Sequence, residues 1–156
     1  MSMHLPSYMT GLTDGEGCFS VSFSLRKKMR YGIEVRPSFS ISQHERNRSL
    51  IKAVQQYFRC GSIRYSAHDR NVKFEVRSIH DLIRSVIPHF QSYPLQSSKQ
   101  KDFIAFQTIC EIIHSNHHRS SAGLVNIINL AASMNEAGKR KYDQQTLLSM
   151  IRKMKV

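Results

Sequence analysis

The chain has 156 residues, with 23 Lys or Arg against 11 Asp or Glu, which gives a formal net charge of +12 at neutral pH. A chain of this length can bury roughly two-thirds of its unfolded surface, so it needs no disulfide or structural metal to fold. The 3 cysteines are widely spaced without a CxxC pair, which argues against a disulfide framework or a structural zinc site and favours a reducing compartment.

The composition also bears on membranes and partners. No apolar run approaches the roughly 18 residues that span a bilayer, and the N-terminus lacks a basic start followed by an apolar core. We therefore expect neither membrane insertion nor secretion. With 40% hydrophobic residues and only 7 Gly and 4 Pro, the chain is expected to fold and to carry its charge on a folded surface. Nucleic acid is the leading partner, and the alternatives are anionic membrane surfaces or simple solubility.

The first third of the chain predicts a helix followed by two strands. A short helix is predicted over 6–14, and from Phe19 apolar and polar side chains alternate as in a strand with one buried face. A basic turn at 27–30 separates this strand from a second one over 31–42. Pro37 lies inside the second strand and indicates an interrupted or edge segment.

A second group of elements repeats this order. Apolar residues at helical spacing predict a helix over 50–58 that stops before Gly61. Short strands at 63–65 and 72–76 follow, joined by a polar turn at 66–71.

The remaining pattern is helical. Ser78 is placed to cap a helix over 79–87, which Pro88 helps to end. The further predicted helices cover about 98–115, 121–135 and 143–154.

This order predicts an α+β fold. The core has the order αββαββα over about 5–115, with a four-stranded antiparallel sheet that is polar on one face and backed by helices on the other. A helical part over about 120–155 follows, and the whole of 1–156 is expected to be one domain.

The polar face of the predicted sheet is the candidate surface for DNA. It carries hydroxyl, guanidinium, ammonium and amide groups, which can read base edges in a major groove wide enough for a strand ribbon. An ordinary solvated sheet face is the alternative. The residues predicted to contact DNA here are Ser22, Ser24, Arg26, Lys28, Tyr31, Arg36, Ser38, Ser40, Arg64, Ser66, Arg70, Asn71, Lys73 and Arg77.

The segment from Tyr8 to Gly17 carries the most specific signal. Gly11 and Gly15 are four apart and share one helical face, where each costs up to about 1 kcal/mol of helix stability relative to Ala. Close packing of two helix backbones would compensate for this cost and would leave Glu16 at the end of the pair. A carboxylate beside a backbone carbonyl is a hard oxygen site suited to Mg²⁺. The alternative is a glycine-rich helix stop with solvated acids.

This segment resembles the LAGLIDADG motif of homing endonucleases. Gly11, Leu12, Asp14, Gly15 and Gly17 match its pattern, Glu16 stands at its final acid, where Asp or Glu is accepted, and Met9, Thr10 and Thr13 depart from it. The resemblance covers roughly 5–150. The segments 39–50, 99–101 and 126–148 look like the single-motif chloroplast enzymes of the family.

The resemblance implies a homodimer and a DNA substrate. The motif helices of two chains would pair through Tyr8, Gly11, Leu12 and Gly15, because the chain carries one copy of the motif. The paired sheets would form a saddle over a long, nearly palindromic duplex. Each strand would be cut once, leaving short 3′ overhangs.

The resemblance also implies the catalytic residues and the metal. Glu16, Gln43 and Lys99 would be catalytic, with Gln43 ordering water and Lys99 stabilising developing charge. Glu16 and the carbonyl of Gly15 would bind Mg²⁺, with Mn²⁺ as a substitute and Ca²⁺ supporting binding without cleavage. The family's second basic residue corresponds to Asn47, flanked by Arg46 and Arg48.

Two further clusters of basic or histidine residues lie in the second half of the chain. Lys139, Arg140 and Lys141 resemble a phosphate-gripping segment of the family, and a solvated helix linker is the alternative. His114, His117 and His118 have helical spacing but lack the cysteines or acid that a zinc site needs, so a solvated helix end is preferred.

The sequence thus predicts a site-specific double-strand DNA endonuclease without a small-molecule substrate or a membrane partner. The resemblance further implies an organellar intron gene, chloroplast rather than mitochondrial, whose product needs no transit peptide. The alternatives are an intron RNA maturase without cleavage activity and a ribosomal or other basic RNA-binding module.

Overall fold

The elements of the fold follow the predicted order. The computed structural model describes residues 2–135 and 138–154. Its helices and strands are α1 (Leu5–Glu16), β1 (Gly17–Leu25), β2 (Ile33–His44), α2 (Arg48–Phe58), β3 (Ser62–Ser66), β4 (Asn71–Val76), α3 (Ile79–Asp81), α4 (Ile87–Ser92), α5 (Lys99–His114), α6 (Ser121–Ala132) and α7 (Gln144–Lys153). The predicted α+β class is confirmed. Over the described ranges, no helix is both long and apolar enough to cross a membrane.

The four strands form one sheet in the order β1-β2-β4-β3. β2 and β4 are antiparallel from the Phe39–Val76 pair to the His44–Asn71 pair, and β3 and β4 are antiparallel from the Ser62–Glu75 pair to the Ser66–Asn71 pair. The predicted four-stranded sheet is therefore confirmed. The expected interruption at Pro37 was wrong, because β2 is continuous from Ile33 to His44. Pairing of β2 with β4 begins only at Phe39, so the N–H that Pro37 lacks is not needed for a hydrogen bond to β4.

Two compact units divide the described chain. Unit 1 comprises the residues up to Phe19 together with Ser38–Gln100, and unit 2 comprises Ser20–Pro37 together with the residues from Lys101 on. The division runs through β1 and β2, whereas the sequence predicted a single domain with a core over about 5–115 and a C-terminal helical part over about 120–155. That the whole chain acts as one domain stays a prediction.

The core of unit 1 is aromatic. Phe39 of β2 stacks on Phe19 with ring centroids 5.2 Å apart and meets the edges of Phe58, Phe74 and Phe90 at 5.4–6.2 Å. All five rings are buried. Burial of each side chain contributes about 2 kcal/mol, so this cluster fixes α2 and α4 against the apolar side of the strands.

The core of unit 2 contains a residue predicted to face outward. Tyr31 is 8% exposed and is part of a cluster with Ile33, Leu124, Ile128, Leu147 and Ile151. The expectation that Tyr31 points outward was wrong. It lies in the turn before β2, where Gly32 has a φ of +69°, so strand alternation does not govern its direction, and its ring packs into the apolar cluster of unit 2.

Pro88 does not end the helix in which it lies. The chain passes from α3 through a π-helical segment, Leu82–Val86, into α4, where Pro88 occupies the first turn and the helix continues to Ser92. The wider π turn accommodates a residue that lacks an N–H and whose ring would clash with the carbonyl four residues earlier. The predicted stop at Pro88 was therefore wrong.

Gly61 offers a direct test of backbone packing in unit 1. Its φ is +79°, and an added Cβ would lie 2.7 Å from the Phe74 ring and 2.8 Å from the carbonyl of Glu75. We expect Gly61→Ala to lower the free energy of unfolding by about 3 kcal/mol, through both backbone strain and overpacking. Gly32→Ala is the matched control, because its φ is +69° but an added Cβ would meet only the Met150 side chain at an ordinary 3.5 Å, so it carries the backbone strain without the overpacking. Equal effects in urea unfolding would contradict this account.

Candidate active site and nucleic-acid interface

The C-terminal end of α1 is held by a carboxylate clamp. The carboxylate of Asp14 accepts hydrogen bonds from the backbone N–H of Gln96 at 2.9 Å, the N–H of Ser97 at 3.1 Å and the Ser97 hydroxyl at 2.6 Å. Partial burial would raise the pKa of Asp14, but these bonds and the charge of Lys99 lower it below its ordinary value. Asp14 therefore stays ionised and fixes the motif helix to the loop before α5.

Lys99 bonds to the same helix end. Its Nζ donates to the carbonyl of Thr13 at 2.8 Å and to the carbonyl of Asp14 at 3.0 Å. The last carbonyls of a helix lack intrahelical partners and carry partial negative charge, so a cation there is stabilising. The sequence placed Lys99 in the active site, and the structure brings its ammonium group to the last turn of the motif helix.

Glu16 is the last residue of α1 and differs from Asp14 in having no partner. It is exposed, and the structure records no hydrogen bond or ion pair between its carboxylate and any residue within 2–135 and 138–154. A negative charge at the C-terminal end of a helix is unfavourable unless a cation compensates it. An unpaired carboxylate beside the orphan carbonyls of the last turn, which include that of Gly15, suits a hard divalent cation.

One chain supplies few of the ligands that such a cation needs. Among the described residues, no group of three or more His, Cys, Asp or Glu side chains is arranged to hold a metal. This applies also to His114, His117 and His118. A cation at Glu16 would therefore draw its remaining oxygen ligands from water, from a phosphate or from a second chain.

Gln43 lies near the end of β2, half-buried. Its Oε1 accepts a hydrogen bond of 2.8 Å from the side-chain amide of Asn47, which fixes the orientation of both amides. Asn47 is the residue that the sequence resemblance aligned with the family's second basic position. Its neighbour Arg48 instead lies over the ring of Tyr65, with the guanidinium carbon 5.2 Å from the ring centroid.

A buried chain of hydrogen bonds sets the other side of α1. The Thr10 hydroxyl donates to the carbonyl of Tyr93 at 2.9 Å, so it accepts from Nε2 of His89, 3.1 Å away. Nδ1 of His89 is then the acceptor for the Tyr57 hydroxyl at 2.9 Å. These bonds require a neutral imidazole, and burial lowers the pKa of His89 to about 4. The Thr10 hydroxyl, at a position that departs from the family motif, is thus fully hydrogen-bonded by Tyr93 and His89.

The outer face of α1 carries two glycines that pack against no described residue. Met9, Thr10 and Thr13 point into unit 1, whereas Gly11 and Gly15 lie on the opposite side, where an added Cβ would meet no described atom within 4 Å. Tyr8 on this face is 38% exposed. Packing within the described chain therefore does not explain the two helical glycines.

Acidic side chains organise most of the cations predicted to contact DNA. In unit 1, Glu75 accepts hydrogen bonds from Arg64 and from Lys73 at 3.2 Å, and it forms an ion pair with Arg77 at 3.1 Å. Also in unit 1, Glu45 accepts from the Tyr65 hydroxyl at 2.7 Å and from Arg70.

Unit 2 contains a similar group on β1 and β2. Glu34 accepts from Arg26 at 2.7 Å, from Arg36 at 2.8 Å and from the Ser24 hydroxyl at 3.0 Å. The pKa of Glu34 is lowered, chiefly by the hydrogen bond from Arg36. The acid therefore remains ionised beneath its two cations.

The remaining predicted contacts fall into three groups. Ser22, Lys28 and Ser66 are exposed, and Ser38 and Asn71 are half-exposed, with the Asn71 amide held by Asp69 at 3.0 Å. Ser40 is 6% exposed, because it lies opposite Glu75 in the β2–β4 register, under the cations that cover that acid. Tyr31 is buried in unit 2, as described above.

The sequence-based assignment overlooked four residues on or next to these strands: Glu34, Glu45 in the turn after β2, Tyr65 and Glu75. Tyr65 is 48% exposed, and the three acids are the centres of the cation groups. Opposite charges two residues apart, as in Glu34 and Arg36 or Lys73 and Glu75, share a strand face and were the signal available in the sequence.

The basic segment after α6 is only partly free for phosphate. The Arg140 guanidinium donates to the carbonyls of Ala131 and Met134, the latter at 3.0 Å, and so caps the end of α6. Lys139 and Lys141 are exposed, and the ammonium of Lys141 lies 5.4 Å from the Tyr142 ring centroid. Arg140 is thus a structural cap.

Comparison with known proteins decides the family. Residues 9–110, which include α1 from Met9 onward, the four strands and Lys99, match the family model described as LAGLIDADG endonuclease. The chain belongs to the LAGLIDADG endonuclease family. The matched range begins within α1, the helix whose sequence resembles the family's motif.

The relatives of this LAGLIDADG chain include enzymes of similar and of greater length. A probable intron-encoded endonuclease of Neurospora crassa is 34% identical over 131 residues, which are 83% of this chain and 29% of that protein. The chain thus spans less than a third of that relative.

Two solved structures give the same fold. The homing endonuclease I-TnaI has a TM-score of 0.82 and 30% identity over 99% of both chains. I-SmaMI, bound to an uncleaved DNA target in the presence of calcium ions, has a TM-score of 0.81 and 26% identity over 83% of this chain and 44% of that one.

His89 predicts an acid-sensitive stability. Its pKa is about 4 in the folded state and about 6.5 in the unfolded chain, so the unfolded chain binds a proton first. Stability is therefore full above pH 6.5 and falls by about 3 kcal/mol as the pH drops towards 4. Urea unfolding at pH 7, 6, 5 and 4.5 measures this slope.

His89→Gln should flatten the slope between pH 6.5 and 4.5. His118, whose pKa is also lowered by burial and by Arg119, supplies the comparison, and His118→Gln should leave most of the slope in place. Asp14 and Glu75, with lowered pKa values, contribute below this window. A wild-type slope unchanged by His89→Gln would contradict the assignment.

Proposed function

We propose that the chain is a homodimeric, Mg²⁺-dependent endonuclease that cuts both strands of a long, nearly palindromic DNA site and leaves short 3′ overhangs. The observation that carries this proposal is the end of α1. Asp14 and Lys99 hold it in place, and Glu16 has no partner among the described residues. On the outer face of the helix, Gly11 and Gly15 leave room for a second helix to approach. A rigid helix with a free acid at its end suits metal-assisted cleavage by a pair of such helices.

Glu16 would bind the cation with help from the Gly15 carbonyl. A bound Mg²⁺ supplies charge neutralisation at the scissile phosphate and lowers the pKa of a coordinated water. Mn²⁺ would substitute for it, and Ca²⁺ would support binding without cleavage. That a related structure holds uncleaved DNA in the presence of calcium ions supports this cation choice.

Lys99 and Gln43 would complete the site. Lys99 holds the last turn of α1 through two carbonyls and retains one N–H to stabilise charge on the phosphate. Gln43, whose oxygen is engaged by Asn47, presents its amide N–H groups to orient water. The attacking group would be water, so no side-chain nucleophile is required.

The cations on the strands would hold the duplex. The proposed contacts are Ser22, Ser24, Arg26, Lys28, Arg36, Ser38, Arg64, Ser66, Arg70, Asn71, Lys73 and Arg77, with Lys139 and Lys141 on phosphate. A net charge of +12 per chain favours rapid capture of DNA and makes affinity strongly dependent on salt.

The gene is proposed to lie in an organellar intron, and its chloroplast rather than mitochondrial origin stays a prediction. The intron-encoded description of the Neurospora relative supports the intron location. An RNA maturase role would not require the free carboxylate of Glu16.

The carboxylate of Glu16 is tested by Glu16→Gln, which keeps the side-chain volume and removes the charge. Because Gln binds Mg²⁺ poorly, we expect duplex cleavage to fall at least about 10³-fold while binding in Ca²⁺ changes little. The substrate is obtained by selecting bound duplexes from a randomised library and then cutting them with Mg²⁺. Glu111→Gln on the exposed face of α5 is the charge-matched control. Unchanged cleavage in Glu16→Gln would contradict the metal site.

The bare face of α1 is tested by Gly11→Leu. No described atom lies near this position, so the monomer should keep its circular dichroism spectrum and thermal stability, while two motif helices can no longer approach closely. Sedimentation should show a dimer for the wild type and an 18.0 kDa species for the variant, with loss of double-strand cleavage.

Ala53→Leu is the matched control, because it adds the same bulk to an exposed position of another helix, α2. It should leave the dimer intact. A dimeric and active Gly11→Leu protein would contradict the proposed interface.

A further inference from the structure

The acid at the centre of the β3–β4 surface of unit 1 is almost completely covered. The Glu75 side chain is 4% exposed, whereas its partners Arg64, Lys73 and Arg77 are 58%, 41% and 62% exposed. A side chain so covered cannot itself touch a base or a phosphate. Its cations, in contrast, can reach both.

The strand register explains this burial. Glu75 lies opposite Ser40 of β2 and Ser62 of β3, and Lys73 lies opposite Arg64. Lys73 and Arg77 flank Glu75 at i−2 and i+2 on the same face, and Arg64 reaches it diagonally from β3. The three cations therefore converge on one carboxylate from three directions, with small serine side chains on either side leaving room for them.

The three cations around Glu75 keep its carboxylate ionised despite its burial. Burial alone would raise the pKa of Glu75, but the bonds from Arg64 and Lys73 and the charges of Lys73 and Arg77 lower it. The group keeps a net charge of about +2 towards solvent. Each guanidinium has five N–H donors and spends only part of them on the acid, so donors remain for a ligand.

We propose that Glu75 is a positioning residue for sequence recognition: it holds Arg64, Lys73 and Arg77 in fixed orientations, so that they read particular base edges instead of attaching to whichever phosphate is near. The inference rests on the proposed DNA-binding function. Cations fixed in advance lose less side-chain entropy on binding, and bidentate readout of guanine requires a defined guanidinium plane. The buried negative charge also weakens non-specific attraction to the DNA backbone.

Loss of the acid charge should therefore change selectivity more than affinity. In Glu75→Gln the amide N–H groups face the cations and cannot accept hydrogen bonds from them. The cations are therefore no longer held in place and can bind nearby phosphates. Discrimination at a few adjacent base pairs should fall about 10-fold, the size of one lost bidentate contact. Affinity for random duplex should not fall, and its salt dependence should steepen by about one phosphate contact.

The experiment is a parallel binding selection from one randomised duplex library in Ca²⁺. It uses the wild type, Glu75→Gln and the charge-matched Glu111→Gln, whose acid lies on α5 outside this group. Glu75→Gln should lose sequence preference at a contiguous cluster of positions, and Glu111→Gln should reproduce the wild-type profile. Identical profiles for Glu75→Gln and the wild type would overturn the inference while leaving the proposed function intact.

Two further variants separate positioning from misfolding. Arg64→Gln removes one exposed cation and keeps the buried acid, so it should affect a subset of the positions changed in Glu75→Gln. Glu75→Asp keeps the charge and should restore part of the lost preference. Uniform weakening at all positions in both Arg64→Gln and Glu75→Gln would assign the group to phosphate attraction and overturn the inference. If the wild type enriched no sequence, the proposed function would fail, and this inference with it.

Discussion

The polar contacts at the end of α1 are the constraint on which the candidate site depends. Asp14 and Lys99 bond to partners more than 80 residues away in the chain, and between them they fix the last turn of the motif helix to the loop and helix that follow α4. Charged hydrogen bonds of this kind hold a helix end more firmly than water would. Because both act on the residues just before Glu16, they determine where that free carboxylate is presented.

The same helix is built differently on its two sides. Towards unit 1 it packs Met9 and Thr13 and joins Thr10 to a buried chain of hydrogen bonds through His89. Away from unit 1 it presents glycine. A helix that is tightly packed on one side and carries glycines on the other can contact a second surface without changing its own position. This asymmetry links the stability of unit 1 to the assembly we propose for function.

The charged surface follows a related logic. A chain with so large an excess of cations would attract any polyanion, and free arginine and lysine side chains carry no sequence information. In this chain Glu34 and Glu75 each gather several cations into a group of fixed geometry, and Glu45 holds Arg70 together with the Tyr65 hydroxyl. The few acids near the cations thus hold cationic side chains in defined orientations. At Glu75 the surrounding cations cover the acid almost completely.

The sequence by itself determined the α+β class, the order of helices and strands, and the motif with its final acid, because hydrophobic periods and a ten-residue motif are local properties. Only the tertiary structure decided the partners of Asp14 and Lys99, the bare face of α1, the capping role of Arg140 and the burial of Tyr31 and Glu75. Most of these depend on which distant segments meet. Glu75 shows the difference: its spacing from Lys73 in β4 and from Arg77 just after β4 is local in the sequence, but Arg64, which helps to cover it, comes from β3.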